Sequence, residues 1–374
     1  MLEKHYQIGI TCHGCGNKDF GGSFIKVLVT GGTGFVGSHT VSSLLDAGHQ
    51  IKLFARSRER IESALIPLGI EISQIEYEIG DITDSNAVEK AVQGVDAVIH
   101  AAAVYTMSRK RSGEIRRVNT DGTRTVLDAA YRTGLDPIVY VSSVSALLPP
   151  NGEVLNPDSP VKNPKGTYIR SKAEAEKIAR EYQDKGAPIA ITYPGGVLGP
   201  NDPHCGDGME IVIDIINGRY NPMIKGHFPL VDVRDLAALH VKLMESGRGA
   251  RRYFLSGERM PFTGLIDKIS ELTGRRIRYF MIPSWLIEVP VRVIDLLSPF
   301  LPFRVPVTLE GFRFAKWDPI FDDSKTNAEL KISLRPYSET LSDTIKWLHS
   351  IGKINDEQVG KLAKDSSTNV FAMH

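Results

Sequence analysis

The chain has 374 residues, 42% of them hydrophobic and 24% charged, an ordinary globular composition that allows one large α/β domain or two interleaved ones. Its 45 basic and 44 acidic residues leave a net charge of +1 with no basic stripe, which argues against nucleic acid as a partner. Three cysteines, Cys12, Cys15 and Cys205, form no regular framework and point to a reducing, cytoplasmic setting without structural disulfides.

Residues 1–24 read as an N-terminal extension that lacks the basic-then-apolar layout of a signal peptide. Within it, Cys12-His13-Gly14-Cys15 resembles half of a zinc knuckle, but no second ligand pair follows at a suitable spacing, so no metal is expected. From Ile25 onward, β-rich runs alternate with helical patterns, the sign of a parallel sheet with crossover helices. Strands are predicted at 26–30, 51–55, 75–79, 95–100, 137–142 and 188–193, and helices at 35–47, 84–93, 111–134 and 167–185. Asp84 stands as an N-cap, and Gly48 and Gly134 stand as helix-ending glycines.

After Tyr193 the regularity drops. Residues 194–208, rich in Gly, Pro and Asp, read as a long functional loop. Helices at 207–217, 233–246 and 262–273, strands at 251–256 and 277–281, and helices at 284–297 and 338–350 are predicted beyond it. The expected organisation is a dinucleotide-binding domain over 25–195, a substrate-binding region over 196–353 with 231–256 returning to the sheet, and a flexible tail over 354–374. The segment from Met281 to Phe303 is apolar, but Glu288, Arg292, Asp295, Pro283, Pro290 and Pro299 break it too often to span a bilayer. Helical core is its plain reading, with a lid over an apolar substrate or a peripheral membrane contact as the others.

The chemistry begins at Thr30-Gly31-Gly32-Thr33-Gly34-Phe35-Val36-Gly37, directly after the apolar run at 25–29. In a strand–turn–helix, the first glycine allows the tight turn, Gly34 lets a pyrophosphate approach the backbone, and Gly37 lets the helix pack closely. The helix dipole and free N–H groups then face the phosphates. The second strand ends in Arg56-Ser57-Arg58, where an NAD-preferring site would place a carboxylate for the ribose 2′-OH. Guanidinium groups match a 2′-phosphate bidentately, so NADP is the expected cofactor, with NAD as the alternative. Solvated helix-start arginines are the plain reading of Arg56 and Arg58. Asp81, followed by Ile82, can accept from the adenine amino group, cap the next segment, or do both. Ala101, Ala102 and Ala103 are small enough for a dinucleotide to lie across the sheet edge.

Tyr168 and Lys172 stand four apart on one helix face. A phenol is a poor base at neutral pH, and an ammonium and a nicotinamide cation beside it would lower its pKa. Tyr168 can then exchange a proton while hydride moves to or from the cofactor, and Lys172 can also hold the nicotinamide ribose. Ser143, at the carboxyl end of the fifth strand, is placed to hydrogen-bond the same substrate oxygen, with Ser142 as the neighbouring candidate.

The ordered set TGGTGFVG, GDITD, HAAA, VNTDGT, VSS, YIRSK, YPGGVLGP and FPLVDVRDLA resembles the extended short-chain dehydrogenase/reductase family, also called the NAD-dependent epimerase/dehydratase superfamily, from about Ile25 to Trp347. That resemblance implies a Rossmann-type doubly wound parallel sheet with a smaller, mainly helical C-terminal substrate-binding region. It implies Ser143, Tyr168 and Lys172 as a catalytic triad and Asn119 as a residue steadying the site through backbone and water contacts. It also implies pyrophosphate contacts from Thr33, Gly34, Phe35 and Val36, and nicotinamide contacts from Pro194, Gly195 and Val197. Arg56-Ser57 and the run SKAEAE at 171–176 lean toward the dihydroflavonol-reductase-like and 3β-hydroxysteroid-dehydrogenase-like members. Tyr193, where many sugar-nucleotide epimerases carry Arg, and YIRSK in place of YGxSK are departures from those enzymes.

The expected activity is NAD(P)-dependent hydride transfer between nicotinamide and a carbonyl/secondary-alcohol pair of a mostly apolar small molecule. The alternative is a sugar-nucleotide epimerase or dehydratase with tightly held NAD. That reading needs a diphosphate clamp, for which Arg219, Lys225, Arg234, Arg251 and Arg252 are candidates. A catalytically silent NADP-binding sensor is a third reading, disfavoured by the intact Ser-Tyr-Lys set. Homodimerisation through the helices after the fourth and fifth strands is a further expectation from the resemblance, with a monomer as the other possibility.

Overall fold

A computed structural model describes residues 24–106, 111–218, 222–298 and 308–363. The half-knuckle at 12–15, Arg219 and the end of the tail lie outside the described residues. The large sheet contains β1 (Lys26–Thr30), β2 (Gln50–Ala55), β3 (Glu76–Ile79), β4 (Ala97–His100) and β5 (Ile138–Val141). After the two-residue β6 (Val154–Leu155), β7 (Ile189–Pro194) rejoins it. A second layer of short strands follows, β8 (Gly196–Leu198), β9 (Pro222–Met223) and β10 (His227–Asp232), and β11 (Arg251–Leu255) then returns to the large sheet. β12 (Glu258–Pro261), β13 (Phe280–Met281) and β14 (Ile320–Phe321) complete the strands.

All seven strands of the large sheet run parallel in the order β11-β7-β5-β4-β1-β2-β3. The order reverses between β1 and β4, so the carboxyl ends of these two strands open a crevice. Period-two patterning builds a core on each face. Leu28, Val98, Ile138 and Ile191 point into one core, and their neighbours Val27, Val29, Ile99 and Val139 into the other.

The helices are α1 (Phe35–Asp46), α2 (Arg58–Leu65), α3 (Ser85–Ala91), α4 (Ser112–Arg116), α5 (Thr123–Thr133), α6 (Tyr168–Asp184), α7 (Asp207–Ile216) and α8 (Val233–Lys242). They continue with α9 (Phe262–Thr273), α10 (Ser284–Leu297), α11 (Leu309–Trp317), α12 (Ser324–Leu330), α13 (Tyr337–Ser350) and α14 (Asp356–Val359). α3, α5 and α6 cover the first face and α1, α2 and α8 the second. A third core joins α7, α9 and α13 into the substrate region. Asp84 caps α3, its carboxylate accepting from Asn86 and Ala87 N–H at 3.0 and 3.3 Å.

Four expectations need correction. The helix predicted over 111–134 is interrupted by a wide π turn at Arg117–Gly122. The strand predicted over 277–281 shrinks to Phe280–Met281, which pairs with β9. The loop at 194–208 starts as β8, which pairs with β10, a strand the pattern did not reveal. Lastly, α10 is not core. Only Val291 and Asp295 are buried in it, while Trp285 and Val289 are 71% and 66% exposed. Its apolar residues are spread around the helix rather than along one stripe, so one packed face leaves the rest outside. Among the described residues, no helix is long and apolar enough to cross a membrane.

Candidate active site

The glycine loop joins β1 to α1 at the crevice. Gly31 has φ +77°, and a Cβ there would sit 2.4 Å from Ala102 N. Only glycine lets this turn lie against the Ala101–Ala103 segment. At Gly37 a Cβ would meet the Gly31 carbonyl at 2.1 Å, which explains the third glycine of the pattern. Gly34 has only that same carbonyl, at 3.3 Å, near its absent side chain, and as N-cap of α1 it supplies no side-chain hydrogen bond. The first-turn N–H groups of α1, Phe35 and Val36 among them, are thus left for a ligand. A dinucleotide pyrophosphate fits this cradle.

Toward the adenosine end, Arg58 is engaged by Glu62 at 2.7 Å, whereas Arg56 stays exposed at the end of β2 beside Ser57. Asp81 closes its own turn, accepting from Thr83 N and Oγ1 at 2.9 and 2.8 Å, and meets Arg117 at 3.4 Å. These contacts fit the capping reading of Asp81 and leave the adenine reading open beside it. Burial opposes its charge, but the Thr83 and Arg117 contacts win and hold the carboxyl below its usual range. Ile82 packs against Gly122 of the π turn, where a Cβ would come within 2.5 Å of it.

Asn119 sits in that π turn and is buried. Its Oδ1 accepts Val104 N–H at 2.7 Å, and its Nδ2 donates to Val104 O at 3.1 Å and Ser171 Oγ at 3.0 Å. One amide therefore ties the segment after β4 to the helix that carries Tyr168. The wide turn brings Asn119 inward, a common use of π turns.

Tyr168 begins α6 and Lys172 follows one turn later, both buried. Lys172 Nζ donates to Val141 O at 3.1 Å. Burial pushes its pKa down to about 8, against the pull of the Glu176 carboxylate. The expected lowering of the Tyr168 pKa does not hold in the protein alone. Burial raises it, Tyr105 and Glu310 add to the rise, and hydrogen bonding from Ser143 and Ser145 opposes it. Tyr105 packs edge-on against the Tyr168 ring at 5.0 Å. Ser143 Oγ also accepts from Ser145 Oγ at 2.9 Å. Ser142, the neighbouring candidate, points elsewhere, its hydroxyl donating to Glu176 at 2.8 Å.

The buried Glu176 carboxylate also accepts from Tyr193 Oη at 2.6 Å and Arg180 Nε at 2.7 Å. It anchors the strand ends that lead into Ser143 and Pro194. Gly195 N–H donates to Leu255 O at 3.1 Å, and Val197 enters β8 opposite Val231, so the Pro194–Val197 segment is held between β11 and β10. Sequence reasoning missed Tyr105, Ser145, Glu176 and Glu310. Glu176 was within reach, since it continues the Tyr168–Lys172 spacing by another four residues.

Of the phosphate-clamp candidates, Arg234 is held by Asp232 and Asp343, both at 2.8 Å. Arg252 is held by Gln183 and Asp158 at 2.7 and 3.3 Å. Arg251 and Arg252 also open β11, at the sheet end opposite the crevice.

This fold and its glycine-loop crevice define a class, the dinucleotide-dependent oxidoreductases. The chain belongs to the NAD dependent epimerase/dehydratase family, whose model matches residues 27–255, and is an NAD(P)-dependent oxidoreductase of the extended short-chain type. It is 29% identical over 336 residues to a "Putative dihydroflavonol 4-reductase" of Synechocystis sp., covering 88% of this chain and 96% of that one. It is 28% identical to "Sterol demethylase protein B" of Methylococcus capsulatus, covering 88% of this chain and all of that one (100%). The solved structure of gox2253 superposes with a TM-score of 0.75 at 27% identity, covering 88% of this chain and 99% of that one.

Proposed function

We propose that the protein transfers hydride between NADP(H) and a carbonyl/secondary-alcohol pair of a mostly apolar small molecule, with Tyr168 as the proton donor or acceptor. The observation that carries this reading is the convergence of Tyr168, Lys172 and Ser143 beside the glycine-loop crevice, with Arg56 exposed at its adenosine end. A bound nicotinamide would supply or accept the hydride. In reduction, the Tyr168 hydroxyl gives its proton to the substrate oxygen, and Ser143 Oγ hydrogen-bonds that oxygen and fixes its direction. Lys172, held as a cation partly by Glu176, stabilises the phenolate left behind.

The names of the two relatives, a flavonoid reductase and a sterol protein, support an apolar substrate. The engaged Arg234 and Arg252 weigh against a sugar-nucleotide diphosphate. The test is NADPH oxidation with a panel of ketones and sterols. Tyr168→Phe is expected to lose on the order of 10²- to 10⁴-fold in kcat while still binding NADPH. Full activity in that variant would sink the mechanism.

A further inference from the structure

The catalytic helix has no cap of its own. Thr167 precedes it without a side-chain hydrogen bond, and its first turn carries no acidic residue. The orphan N–H groups of such a terminus must find acceptors. Here they find Glu310, from α11 of the substrate region. Glu310 Oε2 accepts from Thr167 N at 2.9 Å and Tyr168 N at 3.4 Å, and Oε1 accepts from Ile169 N at 2.6 Å. The carboxylate is only 6% exposed. Gly166 makes room for it, since a Cβ there would lie 2.8 Å from Glu310 Cδ. The element carrying Glu310 is itself secured, with Leu309 N–H donating to Asp295 of α10 at 3.1 Å and Gly311 N–H to Thr308 Oγ1 at 3.1 Å.

We propose that Glu310 is a positioning residue for the reaction, a carboxylate lent by the substrate region that fixes the first turn of the catalytic helix and keeps Tyr168 a neutral phenol. The inference rests on the acid/base reading of Tyr168. Three N–H bonds on one carboxylate hold the Tyr168 backbone where its hydroxyl meets Ser143. The same negative charge disfavours a phenolate beside it. The other titratable groups facing Tyr168 are Tyr105 after β4, Tyr140 on β5 and Lys172 on its own helix. Of these and Glu310, Glu310 is the carboxylic acid; burial and the facing Asp295 raise its pKa from the ordinary range, and the three N–H donors oppose that rise and favour its charged form.

The experiment uses the full chain with Glu310→Ala and Glu310→Gln. Amide hydrogen exchange at Thr167, Tyr168 and Ile169 is expected to quicken about tenfold or more in the alanine variant, as befits lost charge-assisted bonds, and less in the glutamine variant. In Glu310→Ala, kcat should fall about tenfold or more with the NADPH Kd within about twofold, and Glu310→Gln should recover most of it. Oxidation of the secondary alcohol needs the phenolate, so its acid limb should move to lower pH by about one unit in Glu310→Gln. Unchanged exchange in a folded alanine variant, or an unmoved limb in the glutamine variant, would overturn the proposal. If the alanine variant does not fold, the glutamine limb decides. If the wild type turns over no carbonyl, the functional reading fails, and the exchange measurement, which needs no substrate, still decides whether Glu310 holds the turn.

Discussion

Single residues in this protein act through what their neighbours leave free. Arg56 and Arg58 are both basic and two apart, yet Glu62 holds Arg58 at 2.7 Å across one helical turn, while Arg56 is exposed and feels Glu114 only through its charge. A guanidinium at the end of β2 meets the ribose end of a dinucleotide, and a charge-assisted contact to a 2′-phosphate is worth roughly 1.5–3 kcal/mol. Arg56→Ala should therefore weaken NADPH binding about 10- to 100-fold and leave NADH binding within about twofold. Direct titration of the two cofactors checks this, and equal losses for both would remove the case for NADP. The pair at the start of α6 was legible as a spacing of four. What its environment does to it was not, since burial raises the Tyr168 pKa and lowers that of Lys172 through atoms contributed by other elements.

Elements are joined by buried polar side chains as well as by apolar cores. His240 of α8 meets Thr40 of α1 at 2.8 Å and Thr192 of β7 at 3.4 Å, and all three are buried. Burial drives its pKa down to about 3, so the folded protein keeps the ring neutral where the unfolded chain protonates it near 6.5. Protons then bind preferentially to the unfolded state between these values. Stability falls as pH drops from about 6.5 toward about 3, by up to about 1.4 kcal/mol per pH unit for this group. His240→Asn, which keeps a donor and an acceptor, should flatten that acid-side loss in urea midpoints measured from pH 7 downward. A slope identical to wild type would count against it. Strand and helix order in the sheet half could be read from alternating runs, because each buried strand makes a distinct apolar signal. β8, β10 and β12 could not, since they form a separate small sheet whose pairing joins segments distant in sequence.

At the scale of the whole molecule, two of the several contacts that latch the sheet half to the substrate region are built on buried carboxylates, beside others such as Asp323 on Ser256. One is Glu310 on the first turn of α6. The other is the start of α8, where Asp232 accepts from Thr340 of α13 at 2.8 Å, and Arg234 donates to Asp343 at 2.8 Å. Asp235, only 2% exposed, pairs with the Arg335 guanidinium and accepts Arg335 N–H at 2.7 Å. Burial raises the Asp235 pKa despite that partner, so the pair matters more for what its loss leaves behind than for its own attraction. Arg335→Ala strands a buried carboxylate and should lower stability by about 2–3 kcal/mol, at or below the low end for such pairs because the arginine is partly exposed. Urea unfolding reads this directly, and a loss under about 0.5 kcal/mol would show that solvent satisfies Asp235.

The glycine spacing at 31, 34 and 37, the Tyr168–Lys172 pair and the alternation of β-runs with helices are local patterns. A chain read one residue at a time therefore determined the family, the sheet and the pairing of Tyr168 with Lys172 on one helix. Asn119 reaching Val104, Glu176 joining Ser142 to Tyr193, and Glu310 capping a helix 143 residues earlier were decided only by tertiary structure. Each is a single polar side chain whose meaning is a distant partner, and no periodicity in a sequence encodes a contact of that kind.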